Sequence, residues 1–382
     1  MEINPEFDDI RPYNDDEVAQ VIQRLFENPK LRESLEAYYP KIEWESFRTT
    51  ALSLRNVHDL QIKIIVYLVT ELVNRSATGM TGSGFENISK DTPHLYISNH
   101  RDIILDVSIL CVLLLENGFE TPEIAIGDNL LLAPWIEDLV KLNKSFIVKR
   151  GVSGRQMLEV SRHLSQYIHF VIKNKKESVW IAQREGRAKD SNDRTQDSLL
   201  KMLAMGSDTN FMDSIRELNI TPVTMSYEYD PCDFLKAKEL QQRRDDPEFK
   251  KSRLDDLISM ETGLFGFKGR IRFRIGKPIN PQLDKLDKNL NRNELAPQIA
   301  QIIDNEIFLN YQFYPADYIA YDRLWGGDYF KGKYTPEDEK IFDNYIQQQL
   351  EKINLPDKDI PFLTEKILEM FANPVKNQLS VK

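Results

Sequence analysis

The chain has 382 residues, of which 41% are apolar and 29% charged, with 16 Gly and 18 Pro; this ordinary globular composition excludes a fully disordered, collagen-like or low-complexity chain. Fifty Lys and Arg against 60 Asp and Glu give a net charge of −10, a poor match for broad nucleic-acid binding. Two cysteines, Cys111 and Cys232, exclude a disulfide scaffold and a four-cysteine zinc site.

The opening MEINPEFDDIRPYNDDE is acidic and lacks the basic and apolar parts of a signal peptide, so a cytoplasmic location is expected. Residues 15–77 read as helical. Val18, Val21, Ile22, Leu25 and Phe26 recur at helical spacing, and Ile62, Ile65, Val66, Leu68 and Val69 do so again. The stretch ATGMTGSGFEN at 77–87 reads as a linker or mobile loop. From about 90 to 280, short β-like runs alternate with helical patterns. The expected strands are His94–Ser98, Glu123–Gly127, Ser145–Lys149, Ser178–Gln183, Ile220–Tyr227 and Arg270–Ile275. The alternation predicts an α/β fold with a mixed, partly parallel central sheet flanked by helices. The charge-dense run from Lys236 to Arg253 is expected as a solvated helix or loop. Residues 284–382 read as helical, with stops near Pro356, Pro361 and Pro374. The expected organisation is a helical N-terminal region (1–88), an α/β domain (89–283) and a helical C-terminal extension (284–382).

No stretch reaches 18–20 uncharged apolar residues. The most apolar segments, Ile103–Leu115 and Ile62–Val73, are broken by Asp106 and by Lys63 and Glu71. Buried helices explain both, and any membrane contact is expected to be peripheral. For Ile62–Val73 the choice lies between core packing and shallow membrane association, with core packing favoured.

The stretch LYISNHRDIILD, residues 95–106, places His100 where a β-like run meets an apolar helix. A carboxylate on one ring nitrogen of a histidine fixes the tautomer and leaves the other free to take a proton. Two acids are near. Asp106 lies among apolar residues, where a carboxylate needs a partner. Asp102 suits a helix cap but remains an alternative partner.

Four segments together resemble the glycerophospholipid acyltransferase family, which includes the glycerol-3-phosphate and lysophosphatidate acyltransferases. Asn99-His100-Arg101 through Asp106 resembles the family's His-x4-Asp block, with five intervening residues instead of four. Ser145–Arg150 (SFIVKR) is similar to its Gly-x-x-Phe-Ile-x-Arg block, with either Lys149 or Arg150 in the arginine position and, in the second register, Lys144 in that of the glycine. Glu185-Gly186-Arg187 resembles the Glu-Gly-(Thr/Gly)-Arg block, one residue short. Ile220-Thr221-Pro222-Val223 is similar to the hydrophobic-Pro-hydrophobic block. The resemblance spans about residues 90–280.

The resemblance implies transfer of a fatty acyl group from acyl-CoA or acyl carrier protein to a phosphorylated glycerol or lysolipid, without cofactor or metal, at the inner face of the membrane. It implies His100 as general base with Asp106. It implies anionic-acceptor binding by Arg150 and Arg187, with Lys149, Arg101, Glu185 and Gly186 in the same pocket. An amino-acid-type lipid as acceptor, or an inactive lipid-binding homologue, are the other readings. A metal hydrolase has little support, because His163 and His169 lie six residues apart, not the four of a zinc helix. A P-loop sequence is absent from the chain.

Overall fold

The computed structural model describes residues 4–287 and 289–382. Its centre is a seven-stranded sheet: β1 (Gly79–Ser83), β2 (Leu95–Ser98), β3 (Glu123–Gly127), β4 (Ser145–Val148), β5 (Val179–Ala182), β6 (Ile220–Tyr227) and β7 (Arg270–Ile275). The spatial order is β1-β7-β6-β2-β5-β3-β4. Every neighbouring pair is parallel except β6 and β7. The fold is α/β, with a mixed, mostly parallel sheet flanked by helices.

Five helices precede or abut β1: α1 (Asp15–Phe26), α2 (Pro29–Tyr38), α3 (Trp44–Ser53), α4 (Val57–Leu60) and α5 (Val66–Ser76). Between the strands run α6 (Leu105–Glu116), α7 (Pro134–Leu142), α8 (Gly154–Phe170), α9 (Asp197–Leu203), α10 (Phe211–Glu217), α11 (Asp233–Asp245) and α12 (Arg253–Phe265). After β7 come α13 (Asn280–Leu283), α14 (Arg292–Leu309), α15 (Pro315–Tyr321), α16 (Pro336–Lys352) and α17 (Ile360–Leu379).

Side-chain alternation along the strands builds two cores, one on each face of the sheet. Leu95 and Ile97 of β2, with Val179 and Ile181 of β5, face a core closed by Tyr167 and Ile168 of α8 and Ile299 and Ile303 of α14. Tyr96 and Trp180 face the opposite core with Val223, Met225, Phe273 and α6. With both faces covered, β2 is buried along its whole length, as central parallel strands are. Helix α6 is apolar on all sides and buried from Leu105 to Leu114.

Six strands lie where the sequence places them, within a residue at either end. The 77–87 stretch does not form the expected linker: it contributes β1, paired in parallel with β7. Glycine serves close packing there, since a Cβ on Gly82 would lie 2.8 Å from the Phe85 ring and 3.3 Å from Leu113. Within Ile62–Val73, Ile64, Val69, Leu72 and Val73 are buried, while Ile62 and Tyr67 stay exposed. The 236–253 run is not simply solvated. Its first half lies in α11, where Lys236, Glu239 and Gln241 are buried and Lys236 pairs with Asp230. Pro374 does not end a helix but lies inside α17. A mid-helix proline costs about 3 kcal/mol; here it sits in a turn where Phe371, Ala372 and Val375 are all buried.

Candidate active site

The site forms where β2 ends, on the C-terminal edge of the parallel strands, the usual place for ligands in α/β sheets. Asn99 fixes the exit from β2. Its side-chain amide donates to the Met225 carbonyl and accepts from the Met225 N–H, both at 2.9 Å, so the turn is tied to β6. His100 follows, with its side chain 14% exposed and its ring edge-on to Trp180 at 5.9 Å. Trp180 is held in turn by an indole N–H donated to Ser98 Oγ at 3.1 Å.

His100 Nδ1 lies 2.8 Å from Asp106 Oδ2. Asp106 is fully buried, and its other contacts are all donors. The backbone N–H groups of Arg101 and Asp102 reach Oδ2 at 2.6 and 3.1 Å. The Tyr227 hydroxyl donates to Oδ1 at 2.9 Å. A carboxylate so surrounded can only accept, so the imidazole donates Nδ1–H and keeps the Nε2 lone pair free. Asp102 makes different contacts. Its Oδ1 accepts from the N–H groups of Ile104 and Leu105 at 2.9 and 2.7 Å, capping α6. Burial, with Asp106 close by, raises the Asp102 carboxyl pKa.

The second and third motif segments meet. Arg150 Nη1 lies 2.6 Å from Glu185 Oε1, a contact in which Arg150 is partly and Glu185 largely exposed. The Arg150 N–H donates to Asp128 Oδ1 at 3.1 Å. Lys144 has φ +58°, the left-handed region that favours glycine. This matches the register that puts Arg150, not Lys149, in the arginine position. Gly186 has φ +68° with open space where a Cβ would stand, so its backbone conformation is what calls for glycine.

Arg187 is buried. Burial opposes its charge, and Cys232, Asp230 and Asp102 nearby more than offset this, so its basicity is raised. Its Nη1 has no hydrogen-bond partner among the described residues. The third segment therefore joins both the second, through Glu185, and the first, through the Arg187–Asp102 proximity.

Two residues expected in the pocket are engaged elsewhere. Lys149 sends its ammonium to Asp9 Oδ2 at 2.5 Å, beside His163, which binds the same carboxylate at 2.9 Å. Arg150, one residue on, makes the contact with Glu185 instead. Arg101 is 7% exposed and forms a bidentate pair with Asp193 at 2.8 and 2.6 Å, to which Tyr311 also donates. Its guanidinium is occupied by a protein carboxylate and is not free for an acceptor.

Sequence reasoning missed Tyr227, Trp180 and Asp193. Tyr227 and Trp180 lie within strands that the sequence places correctly, but nothing local marks their side chains as facing the histidine. Asp193 falls in the DSNDR segment, whose polarity reads as a mobile loop. That segment is pinned: Thr195 donates to Asp304, Arg194 to Asn377, and Asn373 to the Asp190 carbonyl.

The other histidines have contacts of their own. His94 is buried against Thr221 and Asn219, and burial lowers its pKa to about 4. His169 faces the Leu203 carbonyl, and His58 faces Glu120 on the surface. Among the described residues, no three His, Cys, Asp or Glu side chains gather to hold a metal ion. Both cysteines are free and buried. No helix of the described residues is long and apolar enough to cross a membrane.

Residues 80–227, which run from β1 to the end of β6, match the family model described as Acyltransferase. The chain is also similar to the crystal structure of the 1-acyl-sn-glycerophosphate (LPA) acyltransferase, PlsC, from Thermotoga maritima, with a TM-score of 0.35 and 10% identity over 74% of this chain and 93% of that one. No curated protein sequence matches the chain.

Proposed function

We propose, from the premise that residues 80–227 belong to the acyltransferase family, that the chain transfers a fatty acyl group from an acyl thioester, acyl-CoA or acyl carrier protein, to the hydroxyl of a glycerol-phosphate-type acceptor. The acceptor class is glycerol-3-phosphate or its 1-acyl derivative, and the product a phospholipid precursor. The observation that carries this reading is the contact between His100 and a buried, fully hydrogen-bonded Asp106, with the ring still open to solvent.

The chemistry follows from that contact. His100 Nε2 accepts the hydroxyl proton as the acceptor oxygen attacks the thioester carbonyl, and Asp106 stabilises the resulting imidazolium. The tetrahedral intermediate collapses with loss of the thiolate, which takes the proton back from His100. One ester bond forms, one thioester bond breaks, and a free thiol leaves. The protein contributes no covalent nucleophile. Arg150 and Arg187 bind the acceptor's phosphate as fixed guanidinium groups. Glu185 orients Arg150, and the Gly186 turn brings Arg187 back toward Asp102. A lipid acceptor places the work at a membrane surface, for which we propose the inner face of the cytoplasmic membrane.

Purified protein incubated with acyl-CoA and glycerol-3-phosphate or lysophosphatidate should release free thiol. His100→Ala should abolish the release, and His163→Ala, at the Asp9 contact, should leave it intact. Release that continues unchanged in His100→Ala removes the general-base assignment.

A further inference from the structure

The turn that carries His100 is fastened at three residues. Asn99 ties it to β6, and Asp102 caps α6. Between them Arg101 faces two ways. Its backbone N–H donates to Asp106 Oδ2 at 2.6 Å, the shortest of the contacts to that oxygen, against 2.8 Å for His100 Nδ1 and 3.1 Å for the Asp102 N–H. Its guanidinium reaches Asp193, to which Tyr311, a member of the core that α14 closes, also donates.

Asp193 is itself held in place. Ser191, two residues before it, is buried and has φ +56°, a left-handed value for a residue with a side chain, and the Asp193 N–H donates to the Ser191 carbonyl at 3.0 Å. The C-terminal helices then grip the loop on both sides of Asp193. Asn373 of α17 donates to the Asp190 carbonyl at 2.7 Å, and Asn377 of α17 accepts from Arg194 at 3.1 Å. Asp304 of α14 accepts from the N–H and the hydroxyl of Thr195 at 2.8 and 2.7 Å. These anchors, with Tyr311, all lie beyond residue 227, outside the region that matches the family model.

Stability alone does not require charges here. A buried ion pair gives up the hydration of both groups, and an apolar pair of similar volume is often as stable or more so. What the pair supplies is direction: two parallel N–H···O bonds fix the plane and the reach of a guanidinium. Arg101 is the residue between the imidazole and its carboxylate, so a fixed side chain at 101 fixes the N–H that Asp106 accepts. A supporting group misplaced by about 1 Å can cost about a hundredfold in rate.

We propose that Asp193 is a positioning residue for the His100–Asp106 pair. Through the Arg101 guanidinium it holds the Arg101 N–H on Asp106, and the C-terminal helices hold Asp193 in turn. The extension outside the acyltransferase region is thereby a working part of the site. The consequence for rate rests on the transferase reading; the consequence for the His100–Asp106 contact does not.

The test separates position from stability in the full chain. Arg101→Met/Asp193→Leu replaces both charges by apolar side chains of comparable length, and a melting temperature and circular dichroism spectrum near those of wild type establish that it is folded. Its kcat for thiol release should fall by about tenfold to a hundredfold, with KM for donor and acceptor little changed. A folded double variant that turns over like wild type assigns the pair to stability and overturns the proposal; so does a loss confined to KM. Should the double variant not fold, Tyr311→Phe and Asn373→Ala, which leave the ion pair in place and loosen its supports, decide by the same measure: each should lower kcat to a smaller extent, and wild-type kcat in both overturns the proposal. Proton magnetic resonance reads the contact without turnover. The His100 Nδ1 proton held by Asp106 gives a downfield signal, assigned by its absence from His100→Ala, that should vanish by exchange with water in the double variant. A signal that persists unchanged overturns the proposal. Wild-type protein that releases no thiol, yet loses this signal in the double variant, upholds the positioning role and overturns the transferase.

Discussion

Among the described residues, Tyr227 is the one side chain besides His100 that hydrogen-bonds Asp106, and it takes the oxygen that His100 leaves. Tyr227→Phe removes that donor from a buried carboxylate without changing the volume. A hydrogen bond to a charged group contributes about 1.5–3 kcal/mol, so kcat should fall by about tenfold to a hundredfold, with KM for both substrates little altered. Steady-state kinetics across pH would measure this, and an unchanged kcat would take Tyr227 out of the machinery. His100 and Asp106 were legible because they stand six residues apart, at the junction of a β-like run and an apolar helix. Tyr227 lies 121 residues further on, and only the β2–β6 pairing brings it to the carboxylate. Arg101 was misread for the same reason: its partner, Asp193, is 92 residues away. The departures from the motif spacing of the family it resembles left Lys149 and Arg150 in competition; Lys144 has the left-handed backbone that suits the glycine of the Arg150 register, and Arg150, not Lys149, meets Glu185.

At the scale of elements, the strands were legible because β-branched and aromatic runs between helical patterns carry a strong local signal. The exception, β1, has the sequence GMTGS, in which glycine makes room for the Phe85 ring, and close packing of that kind leaves no hydropathy pattern. Gly82→Val should therefore lower the melting temperature by several degrees, even though valine is the better strand former, because overpacking costs about 1–3 kcal/mol; calorimetry would decide. The segment after Gly186 gives a second example. Its polarity suggested a mobile loop, yet Asp193 clamps Arg101 while Tyr311 and α17 hold the loop from the other side. Asp193→Ala strands a buried guanidinium and should cost about 3–5 kcal/mol, whereas Arg101→Met/Asp193→Leu, which removes both charges, should recover most of it. Urea unfolding of the two variants checks this. Equal losses in both would mean that the pair's charges do not set the stability of this contact.

Across the whole molecule, the C-terminal helices are joined to the sheet both by packing and by charge. Helix α14 completes one of its two cores, and α11 docks on α15–α17 around a separate apolar cluster. At that junction, burial raises the Asp233 carboxyl to about 7 despite its hydrogen bond from Tyr345. The folded state then binds a proton that the unfolded chain releases near the ordinary carboxylate value. The cost of ionising Asp233 is absent at low pH, grows as pH rises from about 4, and is complete above about 7. Wild-type protein should accordingly lose stability relative to Asp233→Asn as pH is raised through that interval. Denaturant midpoints that stay parallel throughout would rule this out. His94, lowered to about 4, acts in the opposite sense below pH 6.5, so the difference between the two proteins, not the wild-type curve alone, is the informative quantity. The helical character of this region was legible in the sequence; its joins to the sheet were not, because they are made by single side chains far apart along the chain. The two buried sulfhydryl groups carry a practical corollary: burial pushes both Cys111 and Cys232 up to about 12, so neither is nucleophilic in the native fold. In an assay of the proposed transfer, a colorimetric disulfide reagent would therefore register the liberated thiol with almost no background from the protein, which would itself take up two equivalents of the reagent only once denatured.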